Sequence, residues 1–182
     1  SCLDVNHFKV INDQYGNSIG DEVLKHIANS LRTGFEKVGG VCCRIAADNF
    51  AVLYPKSFID SKELSEIRHI TAEVHGFVQP ISFSIGRYVI DDLTLSPSAM
   101  YDRALLAVKS VKGRFDEHIA YYDEAMRMHL LKEQEIVGGM QTALKSDQFE
   151  VWLQPQYNHS SGALIGAEAL VRWRHPQKGL VS

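Results

Sequence analysis

Asp4 and Asp48 are the residues of this sequence best placed to do chemistry. Asp4 ends the apolar stretch that begins at Ser1. Asp48 lies at the tip of Cys43–Leu53, a run that reads as strand, tight turn, strand. If the two strands are neighbours, both carboxylates meet at one edge of a sheet. Two like charges about 4 Å apart repel by roughly 4 kcal/mol at an effective dielectric near 20. A hard cation resolves that conflict, since Mg²⁺ typically binds one or two carboxylates together with substrate phosphates. Taken singly, each acid is equally an ordinary solvated loop residue.

The elements that must hold these acids follow from the hydrophobic pattern. Ser1 to Leu3 reads as the tail of a strand, and Asp13, Gly16, Asn17 and Ser18 as a loop. Val23, Leu24, Ile27, Ala28 and Leu31 recur at helical spacing, predicting a helix over Asp21 to Phe35 that stops at Gly39-Gly40. Val41 to Ile45 and Phe50 to Tyr54 predict a hairpin ended by Pro55. A helix is expected over about Ser61 to Val74, and an alternating, half-buried strand over Ile81 to Ile90. Ser96 caps a helix to Ser110 with Pro97 just inside it, and His118 to Tyr122 is a short strand. A long helix over about Glu124 to Lys145 precedes two strands, Gln148 to Tyr157 and Ala163 to Trp173, joined at Ser160-Ser161-Gly162. Strands and helices mix without strict alternation, which predicts an α+β sheet with helices packed on it.

Composition bounds the partners. The 182 residues are 45% hydrophobic and 23% charged with a net charge of −3, so no broad basic surface for nucleic acid or anionic lipid is implied. No apolar run approaches the roughly 18 residues of a membrane span. No signal peptide is read. The three cysteines, Cys2, Cys42 and Cys43, make no disulfide framework and fit a reducing cytoplasm.

The stretch Leu3-Asp4-Val5-Asn6-His7-Phe8-Lys9-Val10-Ile11-Asn12-Asp13, with Gly20-Asp21 and the Ala46-Ala47-Asp48-Asn49-Phe50 loop, resembles the GGDEF family. Its members are diguanylate cyclases, which join two GTP into cyclic di-GMP. The resemblance implies a nucleotide-cyclase-like palm in which Asp4 and Asp48 hold Mg²⁺ or Mn²⁺ for phosphoryl transfer. It makes Asn12 and Asp21 the guanine-reading positions, an amide and a carboxylate that suit the donor-rich edge of that base. Lys9 matches a phosphate-contacting lysine, and Lys109 falls near a second one. Lys112-Gly113-Arg114 resembles the end of that second motif, one residue out of register.

The departures fall where the chemistry is. Glycines at this loop let the backbone approach a phosphate and take φ > 0. Ala46 and Ala47 add Cβ atoms there, and an L-alanine in a left-handed conformation costs roughly 1–2 kcal/mol. A turn through Asp48-Asn49 instead is the expected relief, because Asn and Asp tolerate that region. Asn49 replaces a glutamate and removes a negative charge. The implied consequence is a domain without cyclase activity, in which metal is bound weakly or not at all. The family's product-inhibition motif, Arg-x-x-Asp, is met here by Lys37 and Gly40, so feedback binding of cyclic di-GMP is not expected.

Gln154-Pro155-Gln156-Tyr157, the run Gly166 to Pro176 and Gly179-Leu180-Val181 resemble the opening of the EAL family, cyclic di-GMP phosphodiesterases built on a (β/α)8-type barrel. Glu168 matches the first ligand of the catalytic metals, Arg172 a substrate-phosphate contact and Gln154 a pocket residue. The expectation is a palm domain over residues 1–123, lacking its N-terminal part, and a linker helix with the barrel's first strand pair over 124–182, cut from a longer tandem protein. Neither cyclase nor phosphodiesterase activity is expected of the piece itself. Its role is read as regulating an EAL domain, with GTP as its ligand and cyclic di-GMP binding confined to a complete barrel. The alternative is a non-catalytic dimerisation or partner-binding scaffold. Apolar residues such as Val151, Leu153 and Leu170 should stand exposed and favour self-association.

Overall fold

The computed structural model describes residues 1–59, 70–114 and 116–181, in two compact units, Ser1–Arg127 and Met128–Ser182. In the first, strands β1 (Cys2–Val5), β2 (Val41–Ala46), β3 (Asn49–Leu53), β6 (Phe83–Arg87) and β7 (Ile119–Tyr121) form one sheet in the order β2-β3-β1-β6-β7. All neighbours are antiparallel except β6 and β7. β4 (Thr71–Val74) and β5 (Phe77–Pro80) pair separately. The helices are α1 (Phe8–Tyr15), α2 (Asn17–Glu36) and α3 (Pro97–Val111).

The sheet is covered on both faces, and the alternation of β1 shows how. Leu3 and Val5 join the main core, into which α2 drives Val23, Leu24, Ile27, Leu31 and Phe35. Cys2 turns to the opposite face and packs with Ala104 and Val108 of α3. Asp4 shares that second face by the period of two. β6 is buried throughout rather than half-buried, because Phe83 and Ile85 meet the main core while Gly86 lies under α3. A Cβ on Gly86 would strike the Ala104 carbonyl and the Val108 amide, so glycine sets the seat of the helix. The predicted cap of α3 is present: Ser96 Oγ accepts from the Ala99 amide at 3.2 Å.

Three expectations are corrected. Phe8–Tyr15 is helical, and the loop expected at residues 13–18 shrinks to Gly16, with φ 84°, between α1 and α2. A helix of eight residues that buries only Phe8 and has no side-chain N-cap leaves a weak pattern. The helix expected to reach Val74 falls mostly on residues 60–69, outside the described ones; Thr71–Val74 is a strand paired with Phe77–Pro80. Its turn is His75-Gly76, with φ 44° and 86°, a dipeptide that carries no strong hairpin signal. The strand expected over residues 81–90 is confined to Phe83–Arg87.

The second unit holds most of α4 (Glu124–Lys145) and an open antiparallel sheet in the order β10-β9-β8, made of β8 (Phe149–Tyr157), β9 (Leu164–His175) and β10 (Gly179–Val181). The predicted hairpin is therefore present, in a three-stranded sheet that is not a barrel. Trp173 anchors it. Its ring lies 5.4 Å from Phe149, its indole N–H donates to Gln148 at 3.0 Å, and it presses on Gly139 of α4. Val151 and Leu153 stand exposed as expected, and Val171 beside them is exposed too. Leu170 differs: the register places it opposite Trp152, on the other face of the sheet and half-buried. Among the described residues no helix is long and apolar enough to cross a membrane.

Candidate functional site

Asp4 is the centre of the site. It is only 4% exposed, and its register partners are Asn49 on β3 and Ser84 on β6. Cross-strand partners put their side chains on the same face. Asp4 Oδ2 accepts a hydrogen bond from Lys112 Nζ at 2.8 Å, an ion pair between a buried carboxylate and a lysine at the C-cap of α3. Asp4 Oδ1 and Asn49 Oδ1 are buried without a hydrogen-bond partner. Both are acceptors, and the strand register puts the two residues opposite each other on neighbouring strands. Behind them, burial raises the pKa of the Cys2 thiol.

Asp48 arrives at this edge as expected. Its carbonyl accepts from the Val5 amide at 3.1 Å, tying the hairpin tip to β1, and its carboxylate accepts from Asn49 Nδ2 at 3.4 Å. The turn does not shift to Asp48-Asn49. Ala47 itself takes the left-handed conformation, with φ 47°, and its carbonyl accepts from Arg44 Nε at 2.7 Å. The reason is the ladder: Asn49 is already committed opposite both Ala46 and Asp4, so no residue beyond Asp48 is free to turn. Strain at Ala47 yields the first prediction. Ala47→Gly should stabilise the domain by about 1 kcal/mol, since the left-handed penalty exceeds the entropic cost of glycine. A urea midpoint that falls instead would show that the strain is absent.

Asn12 on α1 packs over Gly20 of α2, the residue before Asp21. The Asn12 side chain lies directly over Gly20, where any Cβ would collide with its Oδ1, and that oxygen is buried without a partner. Asp21 follows Gly20 and is exposed. Lys9 on α1 and Lys109 on α3 are also exposed. The lysine that reaches Asp4 is Lys112, three residues beyond Lys109. Sequence reasoning placed Lys112 only at the end of a displaced motif, and its contact spans 108 residues, which no local pattern reveals.

At the position of the product-inhibition acid, Gly40 is buried under its own hairpin. A Cβ there would come within 2.8 Å of the Leu53 carbonyl and 3.1 Å of that of Phe35. In the second unit, Gln154 is directly opposite Glu168, and Glu150 opposite Arg172. Gln154, Glu168 and Arg172 therefore share one face of the hairpin, opposite the face carrying Val151 and Leu153. Arg174 grips Glu150 through two bonds of 2.7 and 3.0 Å, which pulls the Glu150 carboxyl below its usual range.

The residues around Asp4 do not suit a divalent ion. Its carboxylate is already neutralised by an ammonium, the facing acid of the signature is an amide, and no three His, Cys, Asp or Glu side chains cluster among the described residues. Glu168 likewise stands without a second carboxylate beside it, since its partner is Gln154.

A five-stranded sheet with an acid near the end of its central strand, a turn carrying the signature loop and helices on both faces define a cyclase-type palm. Residues 2–116 match the model of the diguanylate cyclase GGDEF domain, and residues 139–182 that of the EAL domain. The chain belongs to the GGDEF family, with the opening of an EAL domain after it, and so to the cyclic di-GMP signalling proteins. It is 28% identical to the cyclic di-GMP phosphodiesterase NbdA of Pseudomonas aeruginosa, over 98% of the chain and 23% of that protein. It is 25% identical to the bifunctional diguanylate cyclase/cyclic di-GMP phosphodiesterase MucR of the same organism, over 99% of the chain and 27% of that protein. The chain thus spans about a quarter of the length of these relatives. The crystal structure of the GGDEF domain of YfiN from Pseudomonas aeruginosa superimposes with a TM-score of 0.58 at 23% identity, over 67% of this chain and 80% of that one, and shares its fold.

Proposed function

We propose that residues 1–123 form a GGDEF domain that has lost cyclase chemistry and serves as a GTP-responsive regulatory module for an EAL phosphodiesterase, of which residues 124–182 are the beginning. The observation that carries this reading is the signature loop. Ala46 and Ala47 stand where the triphosphate needs bare backbone, and Asn49, not a carboxylate, faces Asp4. Phosphoryl transfer is almost entirely positioning and electrostatic stabilisation, so a loop that changes both loses the reaction before it loses the fold.

Nucleotide recognition stands on separate residues. The unpaired Asn12 Oδ1 is an acceptor without a partner, and the exposed Asp21 carboxylate is beside it in sequence space through Gly20. Guanine offers donors to both. In the parent protein, Gln154, Glu168 and Arg172 line one strand-end face suited to a phosphodiester, with Arg172 the cation for its phosphate.

Calorimetry with GTP and ATP tests the module. GTP is expected to bind at least tenfold more tightly than ATP, and Asp21→Ala to weaken it by tenfold or more, the loss of one charged hydrogen bond. ATP binding as tight as GTP, or GTP affinity indifferent to Asp21→Ala, overturns the guanine assignment. No binding of either nucleotide leaves the domain a scaffold, a role to which the exposed Val151, Leu153 and Val171 face lends itself.

A further inference from the structure

We propose that the Lys112 ammonium is the resident cation of Asp4, built into the chain in place of an exchangeable divalent ion, and that it shuts metal out of this site. The inference rests on reading Asp4 as the cation-holding acid, and is independent of whether GTP binds.

Three observations support it. The Asp4 carboxylate is 4% exposed and carries one negative charge into a face shared with Cys2, Ala104 and Val108. A buried charge of that kind needs a counter-charge and full hydrogen bonding. The counter-charge is Lys112 Nζ, 2.8 Å from Oδ2, and no carboxylate of the signature loop is in direct register with Asp4, since Asn49 holds that place. Next, α3 is aimed at the task. Gly86 lets the helix sit on the sheet at close range, and the chain leaves the helix at Lys112 with φ −62° and ψ 125°, an extended conformation that ends the helix beside Asp4. Finally, the lysine side chain is 57% exposed and the Asp4 side chain 6%, so the buried carboxylate is joined to a solvent-accessible arm whose ammonium is fixed on it at 2.8 Å. An ion binding Asp4 must contend with that fixed positive charge.

Asp4 and Lys112 sum to zero, and Asn49 brings no second carboxylate into register with Asp4. A divalent ion must therefore displace the lysine and its 2.8 Å bond, or sit beside a fixed positive charge, with Asp48 at the hairpin tip as the further acid of this sheet edge. Lys and Arg are not equivalent here: the compact ammonium suits a single buried oxygen, whereas a guanidinium needs two.

The test uses Mn²⁺ alone, without nucleotide, so that a failure of guanine recognition leaves its outcome unaffected. Free Mn²⁺ is counted by electron paramagnetic resonance in titrations of the wild-type chain, Lys112→Met, Lys112→Gln and Lys112→Met/Asp4→Asn. Wild type is expected to bind at least tenfold more weakly than Lys112→Met and Lys112→Gln, and the Asp4→Asn addition to abolish the gain. Thermal unfolding gives a second readout: Mn²⁺ should raise the midpoint of the Lys112 variants, which have an uncompensated carboxylate, and leave that of wild type unchanged. Equal Mn²⁺ affinity in wild type and both variants overturns the proposal. So does a gain that survives Asp4→Asn, which would place the ion elsewhere.

Discussion

Incubation of the chain with GTP and either Mg²⁺ or Mn²⁺ is expected to give no cyclic di-GMP above a heat-killed control. Enzymes lower barriers by roughly 8–23 kcal/mol, and in phosphoryl transfer nearly all of that comes from holding phosphates and cations in place. Here the loop that should cradle the phosphates carries methyl groups at Ala46 and Ala47, Asn49 removes one negative charge from it, and Asp4 is already paired with Lys112. Misplacement by a single ångström costs about a hundredfold, and these changes compound. Restoring the loop alone, as Ala46→Gly/Ala47→Gly/Asn49→Glu, is expected to leave the activity at background while Lys112 holds Asp4. Product detected by chromatography from the unaltered chain, at a rate clearly above the control, would overturn the non-catalytic reading.

Gly86→Ala is expected to be the most destabilising single methyl in the molecule, costing about 3 kcal/mol, the upper range for overpacking a rigid contact. The added carbon meets backbone, the Ala104 carbonyl and the Val108 amide, and backbone in mid-helix cannot swing aside as a side chain can. The helix must lift, and with it the Cys2–Ala104–Val108 cluster and the lysine at its end. Urea unfolding followed by circular dichroism measures the loss. A midpoint within experimental error of wild type would mean that α3 does not sit where the packing places it.

The sequence made some of this plain and hid the rest for physical reasons. The core face of α2 was readable because Val23, Leu24, Ile27 and Leu31 obey one period over about two turns, and the α3 start because Ser96-Pro97 is a local device whose bond to Ala99 forms within a single turn. The β2–β3 hairpin was readable for the same reason. What failed was short or distant. α1 offers two turns and one buried residue, and β4 and β5 offer four residues each around a His-Gly turn. At the site, the positions of Asp4, Asp48, Asn12 and Asp21 followed from motif spacing, but the turn at Ala47 did not, because ladder pairing on both sides of Asn49 outweighed the residue preference. The Asp4–Lys112 pair joins the first strand to the end of α3, and only the closed sheet brings them together.

Gly40 carries a consequence for the history of the molecule. A glycine codon can be one base away from an aspartate codon, so by mutation alone an aspartate at residue 40 is a short step away. The fold bars that step: the first carbon of any side chain at residue 40 meets the carbonyls of Leu53 and Phe35. The hairpin must first open at Leu53, or the end of α2 retreat, before a carboxylate has anywhere to go. Each of those moves is harmful until the acid arrives, and the acid is harmful until the moves are made. The packing around one hydrogen atom thus makes residue 40 changeable only together with its neighbours in β3 or at the end of α2, so single substitutions there are closed off by sterics.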